Sequence, residues 1–246
     1  MPEARQVQAM FGRIAPRYDV LNRLLSAGID QGWRRRLLRE AGDVRGKHVV
    51  DVACGTGDLS LLFASAGARV VGVDFTGPML TRAEHKSARG RAAGTSSTLF
   101  VQGDALRMPL ATGVADVATI AFGIRNVEDR QRGFEELARV VRPGGRVFVL
   151  EFSMPPGKLL GGVYRTYFTR VLPRIGAAIS GDRAAYEYLP ETVLAWPSPA
   201  ELEVEMGSAG LVDCGHALLT GGVACLSYGT VGPRSTGDPA PESRRA

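Results

Sequence analysis

Cysteine and histidine are scarce in this chain, with three of each in 246 residues. Cys54, Cys214 and Cys225 form an odd set without metal-ligand spacing, and His48, His85 and His216 are equally scattered. That argues against a disulfide framework and a zinc site, and it fits reduced cytoplasmic thiols. No stretch reaches 18 apolar residues free of charge, so no span across a bilayer is expected. The opening MPEARQVQAMFGR lacks the apolar core of a secretory signal. There is no internal repeat, no nucleic-acid-reading module and no basic patch interleaved with aromatics, which removes nucleic acid from the expected partners. The last absence is local. Gly55 and Gly57 lack the third glycine of G-x-G-x-x-G, because Ser60 stands there. A compact nucleoside is therefore a better expectation than a pyrophosphate-bridged dinucleotide.

What is present is an ordinary globular composition, 45% hydrophobic and 22% charged, on a chain long enough for one elaborated α/β domain. The chain is organised around Lys47 to Leu59, KHVVDVACGTGDL. Val49 to Val52 reads as a buried strand, Gly55 and Gly57 as a tight turn, and Asp58, Leu59 and Ser60 as the start of a helix. About twenty residues on, Val70 to Asp74 is a second strand ending in a carboxylate. This is the nucleoside-binding half of a doubly wound sheet, with an acid able to hold a ribose diol.

Residues 1–46 read as a helical cap on the strand ends, with Leu21, Leu24, Leu25, Ile29, Trp33, Leu37 and Leu38 at helical spacing and a break marked by Gly28 and Asp30. Residues 47–232 follow as the main domain. Strands are expected at 49–53, 69–74, 98–102, 115–121 and 146–152, with helices at 58–66, 78–90 and 129–141 between them. Pro143-Gly144-Gly145 reads as the stop of the last of these helices. Residues of about 155–197 interrupt the alternation with an aromatic stripe from Leu160 to Ile175, read either as a helix packed on the domain or as a lid over a greasy substrate. A helix at 198–209 and a hairpin of strands 212–219 and 223–231 raise the strand count to seven, and 233–246 reads as a disordered tail. The net charge of +5 is concentrated in residues 1–50, which hold ten Arg or Lys and five Asp or Glu. Arg34, Arg35, Arg36 and Arg39 read as a basic face suited to an anionic membrane surface, or as a plain solvated face.

Several stretches resemble one family. Tyr18 to Gly28 through Trp33, the turn Asp51 to Asp58, the loop Phe122-Gly-Ile-Arg-Asn126 and the run Arg139 to Ser153 carry the resemblance. Val171 to Gly176, Tyr186 to Glu191 and Thr220 to Ala224 complete it, with small departures at Leu21, Arg142 and Pro190. Together these are similar to the class I S-adenosylmethionine-dependent methyltransferases, and more narrowly to the membrane-quinone C-methyltransferases that act on demethylmenaquinol or the equivalent ubiquinone precursor. The fold so implied is a seven-stranded, mostly parallel Rossmann-like α/β sheet with a C-terminal antiparallel hairpin.

The resemblance implies S-adenosylmethionine as cofactor and S-adenosylhomocysteine as product. It assigns the cofactor to Asp51, Ala53, Gly55, Thr56, Gly57, Asp74, Phe75, Met79, Asp104, Ala105 and Phe122, with Asp74 on the ribose and Asp104 on the adenine. Arg125, Asn126, Tyr18, Asp19 and Tyr188 are the catalytic candidates, with Glu187 as a further one. Arginine is a poor base, so Arg125 is expected to stabilise a developing quinolate oxygen. Asn22, Tyr164, Phe168 and Tyr188 are expected on the substrate. The implied substrate is a prenylated naphthoquinol, or alternatively a prenylated benzoquinol. A small-molecule methyltransferase of other substrate and a non-catalytic cofactor-sensing protein are more distant alternatives. The expected location is cytoplasmic, peripheral at the inner membrane face, with a homodimer left open.

Overall fold

A computed structural model describes residues 4–26, 28–91, 98–167, 169 and 192–233. Three helices come first: α1 (Ala4–Ile14), α2 (Tyr18–Leu25) and α3 (Ile29–Ala41). Then β1 (His48–Val52), α4 (Asp58–Ser65), β2 (Arg69–Asp74), α5 (Gly77–Arg91), β3 (Thr98–Gln102) and β4 (Ala115–Ala121) alternate. After β4 come α6 (Arg130–Val140), β5 (Val141–Phe152), α7 (Lys158–Thr166), α8 (Pro199–Ser208), β6 (Leu211–Leu219) and β7 (Ala224–Val231).

The strands form one seven-stranded sheet in the order β3-β2-β1-β4-β5-β7-β6. The first five pair in parallel, and β7 runs antiparallel to both β5 and β6. This is the class I methyltransferase architecture expected above, hairpin included. Alternation along the strands explains why both faces are covered. Val50, Val147 and Val149 point into a core shared with Phe134 and Leu137 of α6 and Met206 of α8. Their neighbours Val49, Phe148 and Leu150 point the other way, into a core shared with Leu37 of α3 and Phe63 of α4.

Four local departures have physical causes. The helix α6 ends at Val140, and the chain passes straight into β5 at Val141, already extended. Pro143-Gly144-Gly145 therefore lies inside the strand, where the pairing with β4 slips between Ala115 and Val117, rather than terminating the helix. The break between α2 and α3 falls at Gly28, whereas Asp30 sits buried in the first turn of α3. Beyond the strand ends, α3 covers a face of the sheet: Trp33, Leu37 and Ala41 join the α4 core, and the Trp33 indole N–H donates to the Thr220 hydroxyl at 2.8 Å. Arg34, read from the sequence as part of a headgroup-facing cluster, is buried and paired with Asp30 one turn back. Most of the stripe from Leu160 to Ile175 and the expected tail lie outside the described residues or side chains.

Glycine matters most where β1 and β4 part. A Cβ on Gly123 would stand 2.5 Å from the Cβ of Ala53. Gly32, exposed on α3, has nothing within 4 Å of the same atom. Gly123→Ala is expected to destabilise the protein by roughly 1–3 kcal/mol through overpacking. Gly32→Ala should stabilise it by about 0.4–1 kcal/mol through helix propensity. Chemical denaturation of both variants checks the pair of opposite signs.

Candidate active site

The strand order reverses between β1 and β4, and the loops leaving their C-terminal ends diverge over opposite faces of the sheet. That leaves a crevice at the switch point. Two non-glycine residues there hold left-handed backbone, Ala53 with φ 50° just after β1 and Phe122 with φ 59° just after β4. Such conformations cost energy and cluster where a site needs a sharp turn. Gly55 and Gly57 continue the first loop with φ of 55° and 82°, which side chains rarely adopt. Their surroundings differ. A Cβ on Gly57 would press within 3.0 Å of Ala83 and Phe100, whereas Gly55 has only the Tyr18 ring edge, 3.9 Å away.

The cleft holds about 910 Å³ of empty space, part of it open to solvent, within the range of small-molecule sites. Its wall includes Tyr18, Ala53, Gly55, Asp74, Phe75, Met79, Asp104, Ala105, Phe122 and Asn126. The structure thus brings ten of the sequence-predicted residues to one cavity. Phe11 and Gln8 of α1 also line it and were not foreseen. A smaller polar compartment adjoins it, lined by Tyr18, Asn22, Arg34, Asp51, Gly55, Thr56 and Asp58 among others.

The acids of the site are held differently. Asp51, 1% exposed, accepts from the hydroxyls of Ser60 and Thr119. Burial pushes its carboxyl up to about 6, against the pull of those hydroxyls and of the Arg34 guanidinium. Asp74 accepts the backbone N–H of Gly55 and of Thr76, each at 2.8 Å, so it also pins the glycine turn. Burial raises its pKa against those two amides. Asp104 is exposed and accepts from the Leu106 N–H at 2.9 Å.

The catalytic candidates are more dispersed. Tyr18 lines both compartments, and burial raises its phenol against the Asn22 hydrogen bond and nearby Arg125 and Arg34. Asp19 is engaged within the protein: it accepts from the Thr56 hydroxyl and pairs with Lys86 at 2.7 Å. Arg125 is buried, donating to the Phe122 carbonyl at 2.9 Å and pairing with Glu151, its guanidinium 5.5 Å from the Phe152 ring centroid. Tyr164 is buried in a cluster with Ile14 and Val193, against which Tyr18 and Tyr167 pack. Phe168, Glu187 and Tyr188 lie outside the described residues.

Sequence reasoning missed Glu151, Arg34 and Lys86. Glu151 had a signal, since it is a carboxylate in the otherwise apolar strand Val147 to Phe152. Arg34 had one too, four residues after Asp30 on a helix.

Comparison with known proteins settles the lineage. The ubiE/COQ5 methyltransferase family matches residues 1–231. The chain belongs to that family. A demethylmenaquinone methyltransferase from Thermus thermophilus is 49% identical over 223 residues, covering 89% of this chain and 99% of the relative. A ubiquinone/menaquinone biosynthesis C-methyltransferase from Syntrophotalea carbinolica is 46% identical over 229 residues, 92% and 94% of the two chains. Among solved structures, an S-adenosylmethionine-dependent methyltransferase from Aquifex aeolicus shares the fold with a TM-score of 0.59 at 18% identity, over 80% of this chain and 89% of that one. The magnesium protoporphyrin IX methyltransferase of Synechocystis does so with a TM-score of 0.56 at 21% identity, over 85% and 84%.

This family member is an S-adenosylmethionine-dependent methyltransferase, and its cavity suits that cofactor. The nucleoside would meet two carboxylates at strand ends, Asp74 and Asp104. The adjoining compartment offers a buried anion and a buried cation, Asp51 and Arg34, to a charged tail.

The raised Asp51 pKa has a stability consequence with a definite sign. A folded pKa near 6 against the ordinary 3.8 means the folded state binds the proton more tightly. Stability from this group is therefore lost as pH rises from about 4 to about 6. Asp51→Asn is expected to be more stable than the wild type at pH 8 by up to about 3 kcal/mol, seen as a higher unfolding temperature. Below pH 4 the difference should vanish. Thermal unfolding across this range reads both limbs.

Proposed function

We propose that this enzyme methylates a ring carbon of a prenylated naphthoquinol, converting demethylmenaquinol to menaquinol. The observation that carries the reading is the Thermus thermophilus demethylmenaquinone methyltransferase, matched over 99% of its length at 49% identity. A second reading, the same transfer to a prenylated benzoquinol, is favoured by relatives named for both quinones.

The bound sulfonium supplies an already activated methyl group. The protein's share is to orient the partners and make the ring carbon electron-rich. In this reading Asp74 accepts the ribose hydroxyls, Asp104 and the Ala105 N–H take the adenine edge, and Phe75, Met79 and Phe122 form the apolar wall. Ala53, Gly55, Thr56 and Gly57 shape the turn under the amino-acid end. Asn126 hydrogen-bonds a ring oxygen or an ordered water. Arg125 stabilises the oxygen on which charge develops, and Glu151 fixes its orientation. Tyr18, whose phenol pKa burial raises above its ordinary value, serves as a hydrogen-bond donor, with Asn22 setting its direction. Tyr164, Phe168 and Tyr188 belong to the substrate side, and Glu187 to the proton path. Residues 1–46 act as the cap, with Gln8, Phe11 and Tyr18 on the cleft wall, and much of the expected lid at about 155–197 lies outside the described residues.

The isoprenoid tail of such a substrate resides in lipid. Among the described residues no helix is long and apolar enough to cross a membrane, so we infer peripheral contact at the inner face of the cytoplasmic membrane. Arg35 and Arg39 are exposed on α3 and suit anionic headgroups, whereas Arg36 is paired with Glu40.

Two measurements test the site. Asp74→Ala should weaken S-adenosylhomocysteine binding by roughly 1.5–3 kcal/mol in calorimetric titration, with the fold retained. An unchanged dissociation constant removes Asp74 from the cofactor. Arg125→Ala should lower kcat by at least about 100-fold and, by stranding Glu151, destabilise the protein by about 3–5 kcal/mol. The charge-balanced Arg125→Met/Glu151→Gln variant should recover stability but not turnover. Recovery of both would make the arginine purely structural. Assays on both demethylated quinols decide between the two substrates.

A further inference from the structure

The polar compartment beside the main cleft contains a buried cation whose pairing with Asp30 uses only part of its donor set. Arg34 projects from α3 into a space lined by Tyr18, Asn22, Asp51, Gly55 and Asp58. It is 8% exposed, and its guanidinium stands 5.3 Å from the centroid of the Phe122 ring, itself part of the cleft wall. One Nη1 donates to Asp30, while Nε is buried without a hydrogen-bond partner. A guanidinium carries five N–H donors in a planar fork, and buried donors are rarely left unmade. Asp51 is the anion of the same compartment, and each of its oxygens already accepts from a hydroxyl. A buried cation and a buried anion in one small space match a ligand that carries both charges, as the amino-acid end of a methionine derivative does.

We propose that Arg34 binds the α-carboxylate of the cofactor, with Asp51 facing the α-ammonium. This rests on the cofactor reading given above and adds a residue to it from the N-terminal helices. The chemistry favours arginine here, because its fork matches a carboxylate in two parallel hydrogen bonds and an ammonium does not. It also gives α3 a ligand-sensing role besides covering the sheet. The bound carboxylate would then complete a cation that Asp30 satisfies at one corner only.

The test separates contact from mere support by changing the ligand as well as the protein. S-adenosylhomocysteine carries the amino-acid end, and 5′-methylthioadenosine lacks it while sharing the nucleoside and sulfur. Calorimetric titration of the wild type and of Arg34→Gln with both ligands is the measurement. The expected result is a loss of about 10- to 100-fold for S-adenosylhomocysteine and less than about threefold for methylthioadenosine. Arg34→Lys should fall between. Because Arg34→Gln strands Asp30, the paired variant Asp30→Asn/Arg34→Gln repeats the comparison without a lone buried carboxylate. Decarboxylated S-adenosylhomocysteine gives a readout on the wild type alone, where it should bind more weakly than the parent compound by a similar factor. Equal losses for both ligands, or no loss for either, would overturn the assignment of Arg34. A wild type that binds neither ligand would overturn the cofactor reading itself, and the two failures are thus told apart.

Discussion

Everything at the working end of this protein follows from how β1 and β4 part company. They are neighbours in the sheet, yet one loop must turn toward β2 and the other toward β5. The chain manages this with left-handed backbone at Ala53 and Phe122, immediately after the last strand residues. It also needs the missing side chain of Gly123, which lets the two loops touch. Strain of this kind persists only where surrounding structure over-determines it. Here the Phe122 ring is fixed by Phe152 at 4.8 Å and Trp33 at 6.0 Å between centroids, and the first loop by the Asp74 carboxylate on the Gly55 N–H. The cleft is what remains above that contact, where the two loops diverge.

The second constraint is electrostatic. Asp51, Asp74 and Glu151 are all buried, and burial raises the pKa of each. Each occupies the end region of a parallel strand, where a sheet built for packing alone would carry an apolar side chain. Buried charges of this kind are weak evidence for stability and better evidence for a site. Their partners grade accordingly. Asp74 is satisfied by two backbone amides, Asp51 by two hydroxyls, and Glu151 on one oxygen by Arg125 Nη1 and the Phe152 N–H, with its Oε2 buried and unpartnered. The arrangement gives up stability at the mouth of a sheet whose core is built mainly from apolar side chains.

Much of the fold was legible in the sequence because buried parallel strands are dense in valine and isoleucine, and because glycine and proline punctuate their ends. The strands Arg69–Asp74, Thr98–Gln102 and Ala115–Ala121 lie where the pattern placed them. The Pro143-Gly144-Gly145 run misled because those residues serve equally to stop a helix or to bulge a strand, and only pairing with β4 decides between them. The cleft residues were legible for a similar reason: Asp74 ends β2, Asp104 follows β3 by two residues, and Asn126 lies in the short turn after β4, so all three stay near the strand ends that form the cleft. Side-chain pairing was not legible. Arg34 and Arg36 look alike in a run of arginines, yet one is buried against Asp30 and the other solvated beside Glu40. Helix phase relative to the sheet separates them, and that phase is a tertiary fact.

One polar network joins these two themes. Lys86 on α5 pairs with Asp19 of α2 at 2.7 Å and with Asp58 of α4 at 2.6 Å. Thr56 sits between them, donating to Asp19 and accepting from Lys86 at 2.9 Å. Gln31 of α3 reaches Asp58 at 3.2 Å from the other side. The N-terminal helices are thereby fastened to the glycine loop through the very residue, Thr56, that follows Gly55. These contacts tie the loop to α2 and α3, because a hydrogen-bonded charge cluster loses several partners at once if one member moves. Tyr18 and Asn22 ride on α2, at the boundary between the two compartments. In the proposed enzyme, the helices that bring the residues facing substrate are the same ones that the cofactor loop holds in place.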